Sequence, residues 1–472
     1  MKKVIEIREF DAIPNDKDKA KGKDFLDKDF KEWSDYEWQR MYDELRKFVL
    51  SDQSDDNEED SRYFGRLGQK KKTEVIIARN YVGVVQLKSG YQIQILPKID
   101  FADESEYNKD NKLIETKKIF KNMLKELKEF KCKQLNTANL QVEKMSIFEI
   151  FIYIFLGQID DLVRKGLKSA YIQVENNVPY YKGKLLVSQH IRYNMAHAER
   201  FYVSYDEFHI NRPENCLLKA ALIKLQRLST DFSNQKKIRQ LLLHFELVEP
   251  STSYEADFAK VIIDRNTQAY ERPLKWAKVF LLGKSFTSFT GKADATSLLF
   301  PMDRLFEAYI AKMFVRSEEF SDWDISVQDY GCFLFNEPED KFRLRPDIVL
   351  KKNNKCIIVD TKWKRLKNDK SKNYGISQSD MYQMYAYSKM YHTPYICLLY
   401  PFNNDMKTEK NEKPISVEVY KKTCKQKTEI EIHILMIDLS KPEKFNELFD
   451  YIKRITYMTK EEYNKLVQRV QE

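Results

Sequence analysis

Glycine and proline are both scarce in this sequence, at 12 and 13 residues of 472. That scarcity excludes long flexible linkers, and the length predicts two to four packed domains. Cysteine is scarce as well. The six, Cys132, Cys216, Cys332, Cys356, Cys397 and Cys424, are scattered without a Cys-x-x-Cys pair. Their spacing argues against a zinc ribbon or an iron–sulfur cluster, and reduced thiols in a cytoplasmic protein are the expectation. No run is long enough to cross a membrane. The most apolar stretch, "MSIFEIFIYIFLGQI" from Met145, is interrupted by Glu149 and reads as a buried aromatic-rich helix. The start, "MKKVIEIREFDAIP", reads as a strand and not as a signal peptide. A phosphate-binding P-loop is absent. Gly283-Lys284-Ser285 ends like one, but Lys278 stands where an earlier glycine is required, so the chain is expected to bind no nucleotide cofactor. His190 and His197 have no cysteine or carboxylate at metal-ligand spacing, and there is no tandem repeat.

Charge and aromatic residues are abundant. The 81 basic and 72 acidic residues leave a net charge of +9, which is compatible with DNA contact without deciding it. Three regions are expected. Residues 1–105 mix strands with one helix, Trp33 to Leu50, and an acidic loop, "SDQSDDNEED", from Ser51. Within them, Thr73 to Ile99 reads as a β-meander with a Ser89-Gly90 turn. Residues 106–290 are mainly helical, interrupted by an extended stretch from Ser169 to Val187. Gly283 to Ser297 has the small polar residues of a connector. Residues 291–472 carry the chemistry.

The stretch "RLRPDIVLKKNNKCIIVDTKWKR", Arg343 to Arg365, holds two apolar runs around Asn353-Asn354. Asparagine tolerates positive φ, so these two residues predict a tight hairpin. The resulting register sets Lys352 against Lys355 and Asp347 against Asp360. It also puts Arg345 opposite Lys362. Side chains alternate along a strand, so Lys362 shares a face with Asp360. Directly opposed Cβ atoms lie roughly 4.5–5.5 Å apart. Two carboxylates that close repel unless a cation lies between them, and Mg²⁺ is commonly held by one or two carboxylates. A lysine beside the metal orients water or offsets charge on a phosphate, which fits phosphodiester hydrolysis. A strand-end aspartate is also an ordinary turn residue, but Pro346-Asp347 and the opposed placement favour the metal site.

The flanks extend the pattern. In "PMDRLFEAYIAKMFVR", Pro301 to Arg316, an apolar helical stripe carries Glu307 on its flank, either a third carboxylate for the site or a solvated helix residue. In "SQSDMYQMYAYSKMYH", Ser377 to His392, Ser377 and Asp380 make a capping box. Gln383 and Tyr387 follow one turn apart on the same face as Asp380, placed to position the lysine, a water or a phosphate. Arg345, Lys364, Arg365 and Tyr387 are the candidate DNA contacts, with Lys367, Lys370 and Lys372 extending a cationic lip. "PYICLLYP", Pro394 to Pro401, reads as another buried strand.

Pro346-Asp347, Asp360-x-Lys362 and Gln383-x-x-x-Tyr387 together resemble the PD-(D/E)xK nuclease superfamily. "GYQIQILPKID" (Gly90 to Asp100), "YYKGKLLVSQHIRYN" (Tyr180 to Asn194) and "VSYDEFHINRPENCLLKAAL" (Val203 to Leu222) further resemble the McrC family of McrBC and LlaJI-type restriction systems. The resemblance implies an α+β amino-terminal partner-binding region, then an α/β nuclease domain with a mixed central sheet flanked by helices. It implies Asp347 and Asp360 as metal ligands, Lys362 as the catalytic lysine, and Glu307 and Gln383 as supporting residues, with Mg²⁺ as cofactor and Mn²⁺ as its alternative. The implied partners are a McrB-like AAA+ GTPase ring and double-stranded DNA, modified for example at 5-methylcytosine. The implied role is antiphage DNA cleavage. Two alternatives stand beside it: a self-sufficient RecB- or Cas4-like nuclease, and a non-catalytic activator of a partner NTPase.

Overall fold

The computed structural model describes residues 3–22, 25–26, 28–52, 65–100, 109–126, 145–282, 295–406, 416–424 and 427–456. Most of the expected acidic loop and of the 283–297 connector lies outside them.

Short strands, most of them carrying Val, Ile or Thr, build the amino-terminal part: β1 (Val4–Arg8), β2 (Ala12–Pro14), β3 (Gly65–Lys70), β4 (Thr73–Ala78), β5 (Tyr81–Leu87) and β6 (Gln92–Leu96). β5 and β6 pair antiparallel across the expected Ser89-Gly90 turn, where Gly90 takes φ +91°. The expected meander nevertheless breaks between β4 and β5. β4 joins β2 and β3, whereas β5 joins a sheet with β6, β1 and a strand from much later in the chain, Ala295–Pro301. The reason is burial. Every residue of β5 is buried, so it needs a neighbour on each side. Gly83 permits the second one: at φ +136° a Cβ there would lie 1.9 Å from the Leu298 carbonyl oxygen. The Asp35–Asp52 helix packs Trp38, Met41, Tyr42, Leu45 and Val49 onto this part.

The middle of the chain is largely helical. The apolar run from Met145 forms the Ile147–Arg164 helix, buried on nearly every side and packed against the Phe232–His244 and Glu271–Leu282 helices, which in turn pack on the Pro213–Leu228 helix. From this bundle extends an antiparallel arm of β7 (Ala170–Val178), β8 (Lys184–Leu185) and β9 (Phe201–His209), with the short helix Val187–Asn194.

The carboxy-terminal part begins with β10 (Ala295–Pro301), the edge strand just placed in the amino-terminal sheet. The regions therefore interleave at this point, and the expected boundary at 291 does not separate their sheets. Then follow the Met302–Arg316 helix, β11 (Asp324–Val327), the small hairpin β12 (Phe333–Phe335) and β13 (Lys341–Arg343), β14 (Ile348–Lys352), β15 (Lys355–Thr361), the Gln378–Met390 helix, β16 (Tyr395–Pro401), β17 (Ser416–Cys424), β18 (Lys427–Ile437) and the Phe445–Arg454 helix. Six strands form one mixed sheet in the order β11-β14-β15-β16-β18-β17. β15, β16 and β18 run parallel, and the Gln378–Met390 helix lies in the crossover that a parallel pair requires. One sheet face, through Ile357 and Val359, packs on the Met302–Arg316 and Phe445–Arg454 helices. The other, through Ile358, Ile396 and Leu398, packs on Met384 and Tyr387. Among the described residues no helix is long and apolar enough to cross a membrane.

Candidate active site

The β14–β15 hairpin adopts the expected register. Lys352 pairs with Lys355 and Ile348 with Val359, and Asn353 takes φ +53° in the turn. Asp347 and Asp360 are the next positions outward, at the carboxyl end of β15. Pairing stops there. Arg345 lies beyond the ladder, with its guanidinium 5.0 Å from the Tyr330 ring centre and not opposite Lys362. The backbone of Lys362 instead donates to the Leu399 carbonyl, continuing the parallel pairing with β16.

Alternation puts Asp360 and Lys362 on the face covered by the Gln378–Met390 helix. Lys362 Nζ lies 2.7 Å from Asp360 Oδ2 and donates to Gln383 Oε1 at 3.0 Å. Gln383 Nε2 donates to Tyr387 Oη at 2.7 Å, with the Arg345 backbone beside the same hydroxyl. The predicted Gln-x-x-x-Tyr element thus holds the lysine, and the buried Tyr387 holds the glutamine.

The three carboxylates occupy different surroundings. Asp347 Oδ2 accepts from the Thr361 backbone N–H at 2.7 Å and the Thr361 hydroxyl at 2.6 Å. Glu307 comes from the helix on the opposite sheet face and accepts from Gln328 Nε2 at 2.7 Å. Asp360 is 1% exposed, and its Oδ2 has the Lys362 ammonium nearby but no aligned hydrogen bond. Burial, then the neighbouring Asp347 charge, pushes Glu307 and Asp360 up to about 7, and burial also raises Asp347. Burial works to lower the Lys362 pKa and is the largest single influence, but the Asp360, Asp347 and Asp380 charges and the Asp360 hydrogen bond together outweigh it, and the net shift is upward. In this arrangement Lys362 is an ammonium. Among the described residues no three His, Cys, Asp or Glu side chains are gathered at metal-ligand spacing, so Glu307 does not complete a ready cage. Each carboxylate has its own neighbour: Asp347 has Thr361, Glu307 has Gln328 and Asp360 has the Lys362 ammonium.

The expected cationic lip is mostly spent on internal pairs. Lys364 binds Asp380 at 2.8 Å, Arg365 binds Asp100 at 2.6 Å, Lys370 binds Glu418 at 3.0 Å and Lys372 lies 3.6 Å from Asp369. Two further contacts escaped the sequence. The Trp363 indole N–H sits 3.1 and 3.2 Å from the two oxygens of Glu9, a fully buried carboxyl that desolvation pushes up to about 8. The Trp363 ring also packs 5.3 Å from Phe306, the neighbour of Glu307. Only its place directly after Lys362 marked Trp363, and no local signal marked Glu9.

Comparison with known proteins decides the family. The model for "McrBC 5-methylcytosine restriction system component" matches residues 76–401. The chain belongs to this McrBC family. A chain in the refined half-complex from the tetradecameric assembly of Thermococcus gammatolerans McrB AAA+ hexamers with bound McrC is similar in structure. Its TM-score is 0.62 at 21% identity, covering 96% of this chain and 98% of that one. A chain in the cryo-EM structure of the Thermococcus gammatolerans McrBC complex gives 0.44 at 24% identity, covering 66% and 87%. No curated protein matches. The McrBC match spans the Met302–Arg316 helix, the β14–β15 hairpin and the Gln378–Met390 helix, so every candidate catalytic residue lies inside it.

Proposed function

We propose that this McrBC component is the DNA-cleaving subunit of its restriction system, a Mg²⁺-dependent endonuclease of the PD-(D/E)xK type. The observation that carries the reading is the chain Asp360–Lys362–Gln383–Tyr387 at the carboxyl ends of parallel strands, with Asp347 beside it. A divalent cation fits these residues. The buried Asp360 Oδ2 has only the Lys362 ammonium beside it, and the crowded carboxylates press one another toward protonation. Asp347 and Asp360 would hold the ion, with Glu307 behind them, and the ion would polarise the phosphate and acidify an attacking water. Lys362, held as an ammonium, donates to a phosphate oxygen and offsets the charge that builds there. Gln383 fixes its aim, and Tyr387 fixes Gln383. Thr361 anchors Asp347, so its carboxylate keeps one orientation.

The partner is an AAA+ GTPase ring of the McrB kind, which this chain stimulates, and modified duplex DNA is the substrate. The structural neighbour comes from McrB AAA+ hexamers with bound McrC. The arm offers a surface for docking: Tyr171, Tyr181, Met195 and Phe208 are all more than half exposed on it, and Lys182 lies 3.3 Å from the Tyr205 ring centre. Plasmid cleavage with Mg²⁺ tests the reading, using methylated and unmethylated DNA, this chain alone and with its AAA+ partner plus GTP. Cutting that needs partner and GTP and is abolished by EDTA supports it. Cutting by the chain alone, indifferent to partner and nucleotide, replaces it with a self-sufficient nuclease. GTPase stimulation without cutting under any condition leaves a non-catalytic activator.

A further inference from the structure

A cavity of about 370 Å³ lies outside the carboxyl ends of β15 and β16, at the seam with the amino-terminal part. Ligands of open α/β sheets bind at this end of the strands, and the volume falls within the range of small-ligand sites. Phe10 and Lys98 line it from the amino-terminal side. Trp363, Lys364 and Arg365 line it from the segment directly after Lys362, and Asn403 from the segment after β16.

Three observations give this cavity a chemical character. Lys364 and Arg365 are paired with Asp380 and Asp100, whereas Lys98 feels the Glu9 and Asp11 carboxyls only at longer range, with no carboxylate oxygen of the described residues within 4 Å of its ammonium. Asn403 is 2% exposed, and its Oδ1 accepts from the Asp405 N–H at 3.1 Å, which fixes the amide. Its Nδ2 is then a buried donor without a partner, and such a group costs about 1–3 kcal/mol until an acceptor reaches it. The third is Phe10. It stands at φ +66°, a conformation that glycine adopts freely and a bulky side chain does not, and its ring is 47% exposed on the rim. An unsatisfied donor and a cation call for an anionic oxygen ligand. An exposed ring held in a strained backbone calls for a flat partner.

We propose that this cavity is a nucleotide subsite in which Lys98, with Lys364 and Arg365 behind it, takes a backbone phosphate of the DNA strand and Phe10 stacks on its base. The proposal rests on the nuclease reading, because a strand engaged at Lys362 passes the residues that follow it. Stacking on an aromatic ring is tolerant of sequence, so the subsite holds the strand without choosing the cutting site.

The test is equilibrium binding of the full chain to a fluorescent single-stranded oligonucleotide in EDTA across a salt series, where no cleavage is read. Lys98→Ala is expected to weaken binding severalfold and to reduce the slope of log K against log salt by about 0.7, the value of one phosphate contact. The Lys98 backbone N–H that donates to Glu9 is untouched by that change. Phe10→Gly removes the ring and relieves the backbone, so the fold is kept. It is expected to weaken binding about tenfold with the salt slope unchanged. Wild-type affinity and slope in both variants would overturn the subsite and leave the nuclease reading standing. Absence of oligonucleotide binding by the wild-type chain would overturn the subsite, whereas the nuclease reading stands or falls separately on plasmid cleavage with the AAA+ partner, GTP and Mg²⁺. A free mononucleotide, dAMP, that binds as tightly as the oligonucleotide would overturn the strand assignment in favour of a free nucleotide.

Discussion

Asp360→Asn is expected to abolish DNA cleavage, by about 10²–10³-fold or more, while leaving the folded chain at least as stable as the wild type. The two effects separate because Asp360 is costly where it stands. It is 1% exposed, Asp347 repels it, and the Lys362 ammonium at 2.7 Å compensates only in part. Asparagine has the same shape, keeps an oxygen toward Lys362 and removes the buried charge. Thermal unfolding should therefore show no loss. Cleavage needs the charge, because an amide binds a hard divalent cation poorly. Lys362→Ala should match the loss of activity, since it removes the ammonium proposed to offset charge at the phosphate. Cleavage within threefold of wild type in either variant, with the AAA+ partner, GTP and Mg²⁺ present, would sink this site.

The second large effect concerns stability. Glu149→Ala is expected to destabilise the helical middle by about 3–5 kcal/mol, read as a lower denaturant midpoint. Glu149 is buried, yet it satisfies a whole junction. Its Oε2 accepts from the Ser229 hydroxyl at 2.7 Å and Asn234 Nδ2 at 2.8 Å. Its Oε1 accepts from the Thr230 N–H at 2.6 Å and the Asp231 N–H at 3.3 Å. These groups end the Pro213–Leu228 helix and begin the Phe232–His244 helix, where a negative charge also meets the positive end of the helix dipole. Alanine would strand several buried donors at once. Glu149→Gln keeps one acceptor oxygen and should lose less than alanine. A loss below about 1 kcal/mol for alanine would mean that water replaces the carboxylate and that the junction is not closed.

Much of the candidate site is legible in the residue order alone. Asn353-Asn354 determines the β14–β15 register, since a two-residue turn leaves one pairing for the flanking strands and alternation then sends Asp360 and Lys362 to one face. The helical periods of Met302–Arg316 and Gln378–Met390 locate Glu307, Gln383 and Tyr387 within a turn of their positions, because a 3.6-residue period is a local property. Glu149 shows the limit of such reading. In the sequence it interrupts an apolar run. In the fold it is the acceptor around which two helix ends close.

What only the tertiary structure decided are contacts between distant segments. Glu9 meets Trp363 across 354 residues, and Asp100 meets Arg365 across 265. β10 pairs with β5 in a sheet that the segment order assigned elsewhere. The β4–β5 meander divides between two sheets because fully buried β5 needed two neighbours. Periodicity tells a residue which face it occupies but not which distant surface covers that face. A buried carboxyl such as Glu9 requires a donor, and any of many donors would serve until the chain is folded. The sequence therefore determined the local geometry of the candidate catalytic hairpin and its helices. The long-range packing decided the seam between the amino-terminal part and the six-stranded sheet, and with it the cavity beside Lys362.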